Sequence, residues 1–267
     1  MIDLETIEKE FTKFVDNYER TERVLLKEKH TKRVANFSCQ IAKWFAEDEK
    51  NQKIISKAGS KEKFINLATT IGWLHDLGRF EQAKLYDSFS DRKTFDHAQK
   101  GVEILKNNNY IAKYCNEERL YDTIFTAIYN HNKLEIEEGL NEFDLVQSKI
   151  IRDADKLDIL RVYVERLENF KKDDNNTKIN PNILKDLQLK KQIRKEDKHV
   201  ELDDYLLSLG FIFDINYKRS FELLKQLNYI NIIIDKMNTN LTDNEIQELE
   251  KVRKILNDEI ELKLRNS

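Results

Sequence analysis

Apolar residues recur at steps of three and four along most of the chain, which is the spacing of amphipathic α-helices. Two stretches show this pattern most clearly, and each carries a histidine. His30 lies one turn before Val34 on an apolar face, and Ile71 continues a second apolar stripe to His75. Gly78 follows closely and is predicted to stop this second helix. The pattern therefore predicts two helices that point titratable side chains at a core.

The same alignment of polar residues with apolar faces occurs three more times. Segment 87–95 is rich in turn formers and breaks the apolar period, so we predict a loop there and a helix that opens at His97. His131 and Asp155 each continue the apolar face of a further predicted helix. Because buried polar side chains need partners, these positions are candidates for a shared site.

The helical pattern changes character past the middle of the chain. Segment 169–182 is polar and contains the only proline, Pro181, which is typical of a linker or an exposed loop. We therefore predict a core over residues 1–165 and a C-terminal helical extension over residues 166–267. Thr242 is predicted to cap the last helix of the extension. The extension would pack on the core or form a homodimer, and the sequence does not decide between these roles.

Composition favours an all-α fold and narrows the classes of partner. The chain has 267 residues with 6 Gly and 1 Pro, and 36% of its residues are charged, so turn formers are scarce. Its net charge of -3 comes with basic residues spread along the chain, which predicts neither a DNA partner nor an anionic membrane surface. The 2 cysteines stand apart, and no apolar run reaches the ~20 residues of a membrane span or resembles a secretory signal. These features indicate a reduced, cytoplasmic protein.

Six polar side chains on the predicted apolar faces are competent metal ligands. Imidazole nitrogen together with carboxylate oxygen suits divalent ions such as Mn, Fe, Zn, Ni or Mg, and the absence of cysteine among these residues disfavours a structural zinc site. Six groups exceed the needs of one tetrahedral ion, so we predict a centre with two divalent ions in which Asp76 bridges. The predicted ligands are His30, His75, Asp76, His97, His131 and Asp155.

The order of these residues resembles the HD-domain metal-dependent phosphohydrolases. The doublet His75 and Asp76 in "WLHDLGR" is similar to the signature of that family, with His30 before it and Asp155 in "RDADKLD" after it. The resemblance covers about residues 20 to 165. It implies an HD-domain helical core that holds metal.

Two further histidines resemble those of the dinuclear branch of the family. His97 stands in "FDHAQKG" and His131 in "YNHNK". That branch includes the HD-GYP phosphodiesterases and the di-iron oxygenases related to inositol oxygenase. The segment after His131 reads "HNKLEIEEGLNEFD" and lacks the glycine-rich GYP element, which argues against a cyclic dinucleotide diesterase of that type.

The resemblance implies metal-dependent hydrolysis of a phosphate ester or phosphoanhydride, with a nucleotide as the expected small-molecule substrate and a metal-bridging water as the nucleophile. Whether the enzyme is a phosphodiesterase or a phosphatase stays open. The alternatives are a di-iron oxygenase of the HD fold and a nucleotide-sensing HD module without turnover.

Several charged residues near the predicted ligands have expected roles in this chemistry. Arg79 stands where many family members carry Lys, and its planar guanidinium is suited to grip phosphate, so we assign it with Asp76 to catalysis. Candidates for substrate binding are Arg79, Lys156 and Arg161. Asp158 is expected to orient a ligand histidine. Asp153 is a rival to Asp155 as ligand, and the "xADxL" context favours Asp155 and leaves Asp153 as an outer carboxylate.

Overall fold

A computed structural model describes residues 3–168, 180–191, 193, 201–238 and 241–266. Within these residues the chain forms helices and no β-strand, which confirms the predicted all-α fold. The chain divides into two compact units, Met1–Asp155 and Lys156–Ser267. Segment 169–182, predicted as a linker, lies mostly outside the described residues.

The first unit contains seven of the described α-helices and the N-terminal half of an eighth. They are α1 (Leu4–Val15), α2 (Glu22–Phe45), α3 (Gln52–Ile55), α4 (Lys61–Leu74), α5 (Leu77–Tyr86), α6 (His97–Lys106), α7 (Tyr121–Asn130) and α8 (Glu142–Glu168). The division between the units falls inside α8, so the predicted boundary at residue 165 lies in the same continuous helix. The assignment of separate roles to the two parts stays a prediction.

A glycine allows helices α2 and α4 to cross closely, and this crossing brings two of the predicted ligands together. A Cβ atom at Gly72 would lie 2.7 Å from the Cα of Ala35, so a larger residue would push the helices apart. The side chain of Thr21 caps α2, and that of Ser60 caps α4, each by accepting a backbone N–H of the first turn. His30 and His75 consequently face each other, with ring centroids 5.4 Å apart.

The junction of α4 and α5 corrects the prediction made for Gly78. Helix α4 ends at Leu74 with His75 as its C-cap, and the backbone of Asp76 is non-helical, at φ -109° and ψ 16°. Gly78 lies inside α5 and does not stop a helix. Its Cβ would collide with the carbonyl oxygen of His97, so glycine is needed here for close packing of α5 on the start of α6.

Helix α6 begins at His97, as predicted, after the turn-rich loop. The side chain of Asp96 accepts the backbone N–H groups of Ala98 and Gln99, which fixes where the helix starts. His131 is the C-cap of α7. Both histidines therefore project from helix ends.

The second unit contains helices from the C-terminal part of the chain. They are α9 (Pro181–Gln188), α10 (Glu201–Leu209), α11 (Lys218–Leu227), α12 (Tyr229–Asn238) and α13 (Asp243–Asn266). Thr242 precedes α13, and its backbone N–H donates to the Glu245 carboxylate, which is one of the two hydrogen bonds of a capping box. Its hydroxyl donates to the same carboxylate. Among the described residues, no helix is both long enough and apolar enough to cross a membrane.

Candidate metal centre

The structure brings together the six side chains that the sequence analysis singled out. They project from the ends or faces of five helices and from the junction between α4 and α5. All are buried except Asp155, whose side chain is 14% exposed. Their nitrogen and oxygen atoms form overlapping groups in which all atoms lie within 4.8 Å of one another. These groups are His30 with His75 and Asp76, His75 with His131 and Asp155, and Asp76 with His97 and His131.

Two histidines and two carboxylates lie at one end of the centre. His30 Nε2 lies 3.1 Å from Asp155 Oδ1 and 3.5 Å from Asp76 Oδ2. His75 Nε2 lies 3.5 Å from the same oxygen of Asp76 and 3.7 Å from Asp155 Oδ1. Four nitrogen and oxygen donors thus surround one small volume.

The other end of the centre holds two histidines whose Nε2 atoms face each other. His97 Nε2 and His131 Nε2 are 3.0 Å apart. Asp76 Oδ1 lies 3.4 Å from the former and 3.8 Å from the latter. Two nitrogens bound at right angles to one ion, each at the usual distance of about 2.1 Å, would be separated by about 3.0 Å.

Hydrogen bonds on the far sides of the rings determine which nitrogens carry protons. His97 Nδ1 donates to the Asp91 carboxylate at 2.8 Å, and His131 Nδ1 donates to the Ile128 carbonyl at 2.6 Å. His75 Nδ1 donates to the Gly72 carbonyl at 2.8 Å. Because these acceptors have no proton to offer, each Nδ1 keeps its hydrogen, and a ring that is neutral presents a bare Nε2 lone pair to the centre. Burial lowers the pKa of His75, but the Asp76 and Asp155 carboxylates outweigh it and raise the pKa above its ordinary value.

The pKa values of the facing pair favour neutral rings. Burial and the nearby Arg79 guanidinium lower the pKa of His97 to about 3, against the pull of Asp91. Burial also lowers the pKa of His131. At neutral pH two unprotonated nitrogens therefore meet at 3.0 Å with no hydrogen between them, which is unfavourable unless a cation lies beside both.

Asp76 stands between the two ends and offers one oxygen to each. Its Oδ2 faces His30 and His75, and its Oδ1 faces His97 and His131. Burial raises the pKa of this carboxyl, but the charges of Lys27 and His75 outweigh it and hold the pKa well below its usual range. An ionised carboxylate with two separately directed oxygens has the arrangement of a bridging ligand.

Lys27 is a polar contact of the centre that the sequence analysis missed. Its Nζ donates to Asp76 Oδ2 at 2.6 Å, and its side chain is 15% exposed. Lys27 precedes His30 by three residues on α2 and therefore lies on the same helical face. This spacing is the signal that could have identified it.

Asp91 is a second contact that the sequence analysis missed. Its carboxylate accepts hydrogen bonds from Arg79 Nη1 at 2.7 Å, Gln82 Nε2 at 2.9 Å and His97 Nδ1. These donors come from two different helices, so the loop that carries Asp91 is fixed against both. A carboxylate behind a histidine orients the ring and raises its basicity toward a metal ion. The residue sits in the turn-rich segment, where the sequence offers no periodic signal.

Asp91→Asn is expected to weaken metal binding at the end of the centre formed by His97 and His131. Asn cannot accept from His97 with full negative charge, so that end should lose about 10- to 100-fold in affinity. Titration with Mn²⁺ would measure this loss in the variant and in Asp87→Asn, an exposed control on the same loop. Equal affinities in the three proteins would show that Asp91 does not support the ring.

Arg79 lies beside the centre, and one of its guanidinium nitrogens is hydrogen-bonded to the loop between α5 and α6. Its Nη1 donates to Gln82, to the Phe89 carbonyl and to Asp91, and its Nε lies 3.7 Å from Asp76 Oδ1. Within the described part of the chain, no hydrogen-bond acceptor meets the buried Nε. The guanidinium is therefore anchored at one nitrogen and unsatisfied at another.

The remaining predicted residues lie in other surroundings. Lys156 Nζ pairs with Asp214 at 2.6 Å, and Arg161 donates to the buried Asp158 at 2.8 Å and also pairs with Glu165. The expected roles of Lys156 and Arg161 toward substrate, and of Asp158 toward a ligand, stay predictions.

Asp153 is fully buried on α8. Among the described residues it belongs to none of the groups able to hold a metal, whereas Asp155 belongs to one. The two rival carboxylates therefore lie in different surroundings, and the choice of Asp155 as the ligand stays a prediction.

Comparison with known proteins identifies the region that carries the site. Residues 28–160 match the family model described as the HD domain, and this segment includes all six residues of the centre. No curated protein and no solved structure matches the chain.

Proposed function

The chain belongs to the HD-domain superfamily, and on this basis we propose that it is a metal-dependent phosphohydrolase with two divalent ions in its centre. The observation that carries this proposal is the arrangement around Asp76. One oxygen of this carboxylate faces His30 and His75, and the other faces a pair of bare Nε2 atoms. Two groups of donors that share one carboxylate fit two ions better than one.

The residues of the chain have distinct tasks in such a reaction. The bound ions would supply a water of lowered pKa and neutralise charge on the phosphoryl oxygens. Asp76 and the histidines fix the donor positions, and burial of these groups keeps bulk water from competing for them. Hydrolysis forms one P–O bond to the oxygen of water and breaks the P–O bond to the leaving group, whose oxygen takes the electron pair. The proton that the water loses passes to that oxygen or to solvent.

Arg79 is the proposed contact to the phosphate of the substrate. Hydrogen bonds from Nη1 hold the guanidinium at the edge of the centre, and its Nε remains without an acceptor. A guanidinium offers paired N–H groups that match the oxygens of phosphate. A preorganised donor of this kind stabilises charge that develops in the transition state.

Arg79→Ala is expected to lower kcat/KM on a phosphoester by about 2 to 4 kcal/mol of transition-state stabilisation. Arg79→Lys should recover part of this loss, because it restores charge without the planar fork. Metal content should stay equal to that of the wild-type protein in both variants. An Ala variant with unchanged kcat/KM would remove Arg79 from the active site.

Metal analysis of the freshly purified protein, followed by a panel of nucleotides and other phosphoesters, tests the proposed function. We expect hydrolysis that requires a divalent ion and stops when a chelator removes it. A nucleotide is the proposed substrate class. Iron-dependent oxygen uptake without hydrolysis would instead identify an oxygenase, and nucleotide binding without turnover would identify a sensing module.

A further inference from the structure

Three cationic side chains surround one aromatic ring at the edge of the metal centre. The Phe89 ring centroid lies 5.6 Å from the guanidinium carbon of Arg23, 5.4 Å from Lys27 Nζ and 5.9 Å from the guanidinium carbon of Arg79. Phe89 belongs to the loop between α5 and α6, and its carbonyl accepts from Arg79. Cations from two separate helices, α2 and α5, therefore lie around one residue of this loop.

These cations form a track that leads away from the centre. Lys27 contacts Asp76 directly, and Arg79 lies next to the same carboxylate. Arg23 lies one helical turn before Lys27 on α2, farther from His30, and its side chain is 40% exposed. Exposure thus increases from Lys27, at 15%, to Arg23. A chain of anionic groups that entered the centre would meet the cations in succession.

Each cation is paired with a carboxylate, and a phosphate could replace some of these carboxylates more easily than others. Arg23 pairs with Asp87, whose side chain is 81% exposed, so solvent and salt screen this pair and a phosphate can replace it at low cost. Lys27 pairs with Asp76, and metal binding at Asp76 would neutralise that carboxylate and leave the ammonium available to an anion. Arg79 keeps an unsatisfied Nε beside its contact with Asp91.

We propose that Arg23, Lys27 and Arg79 form one anion-binding track beside Phe89, and that the substrate carries at least two phosphate groups in series, as a phosphoanhydride does. This inference rests on the proposed phosphohydrolase function and extends it to the substrate class. A single phosphate would engage only the groups next to Asp76. Arg23 would contact the substrate only if a second phosphate extended along α2.

Binding of two inorganic probes to the full-length protein tests the track. The probes are orthophosphate and methylenediphosphonate, a diphosphate analogue whose P–C–P link is not hydrolysed. Calorimetry at one fixed concentration of free Mn²⁺ gives both Kd values, and the comparison between proteins cancels any chelation by the probe. We expect the wild-type protein to bind the diphosphonate about tenfold more tightly than orthophosphate, the gain from one added charge-assisted contact.

Arg23→Gln should collapse this preference to about twofold or less, because the contact specific to the second phosphate is lost. Lys32→Gln is the matched control, since Lys32 also lies on α2 in an exposed ion pair, with Glu8 at 3.0 Å. It should retain the wild-type preference. Circular dichroism would verify that both surface variants fold.

The outcomes separate this inference from the function on which it rests. Equal affinity for the two probes in the wild-type protein, or an unchanged preference in Arg23→Gln, would overturn the track and leave the hydrolase proposal intact. A metal-loaded protein that binds neither probe would contradict both proposals.

Discussion

Asp76→Ala is expected to remove both metal ions and to abolish hydrolysis. Its two oxygens face the two groups of donors, so the substitution takes one ligand from each end at once. The substitution also leaves Lys27 without its carboxylate, and loss of one partner of a buried pair costs about 3–5 kcal/mol of stability. Metal content by mass spectrometry and turnover on the best substrate would measure the effect.

A double variant keeps this prediction testable if the single variant unfolds. Lys27→Met removes the ammonium that Asp76→Ala would strand, and the pair of changes should fold yet bind no metal. Asp122→Ala, an exposed position on α7, serves as control and should retain full metal and activity. A folded Asp76→Ala protein that still binds two ions would show that this carboxylate is not shared.

Asp155→Ala is expected to abolish metal retention and activity, whereas Asp153→Ala should cost about 10- to 100-fold. The Asp155 carboxylate lies 3.1 Å from His30 Nε2, and its pKa is held low against burial by the neighbouring histidines. Asp153 is buried on α8 outside the groups able to hold a metal. Both single variants would be assayed for bound metal and for turnover.

Full metal content in Asp155→Ala together with loss in Asp153→Ala would reverse the assignment. Far-UV circular dichroism would show whether either substitution affects the fold of α8. Because the residues are two positions apart on one helix, they project in different directions and act as mutual controls.

Helical periodicity made the ligand set predictable from the sequence. His30 and His75 each continue an apolar stripe, and a polar residue in that position must be buried. The structure places both in the interior, along with His97 and His131. A period of 3.6 residues specifies which face a residue occupies, and that is sufficient to select inward polar groups.

Contacts between elements that are distant in the sequence could not be predicted from helical periodicity. Asp91 lies in a loop without periodicity, so its bonds to Arg79 and His97 depend on how α5 and α6 pack. Gly78 was interpreted locally as a helix stop, but its role is set by the approach of the His97 backbone. Such roles follow from tertiary packing, which single-helix patterns do not contain.

The number of metal ions bound per chain tests the central claim most directly. Mass spectrometry of the metal-loaded wild-type protein should find two divalent ions, and His97→Ala should retain one, held at the end formed by His30, His75, Asp76 and Asp155. A wild-type protein that binds a single ion, with His97→Ala binding it equally well, would contradict the two-ion centre.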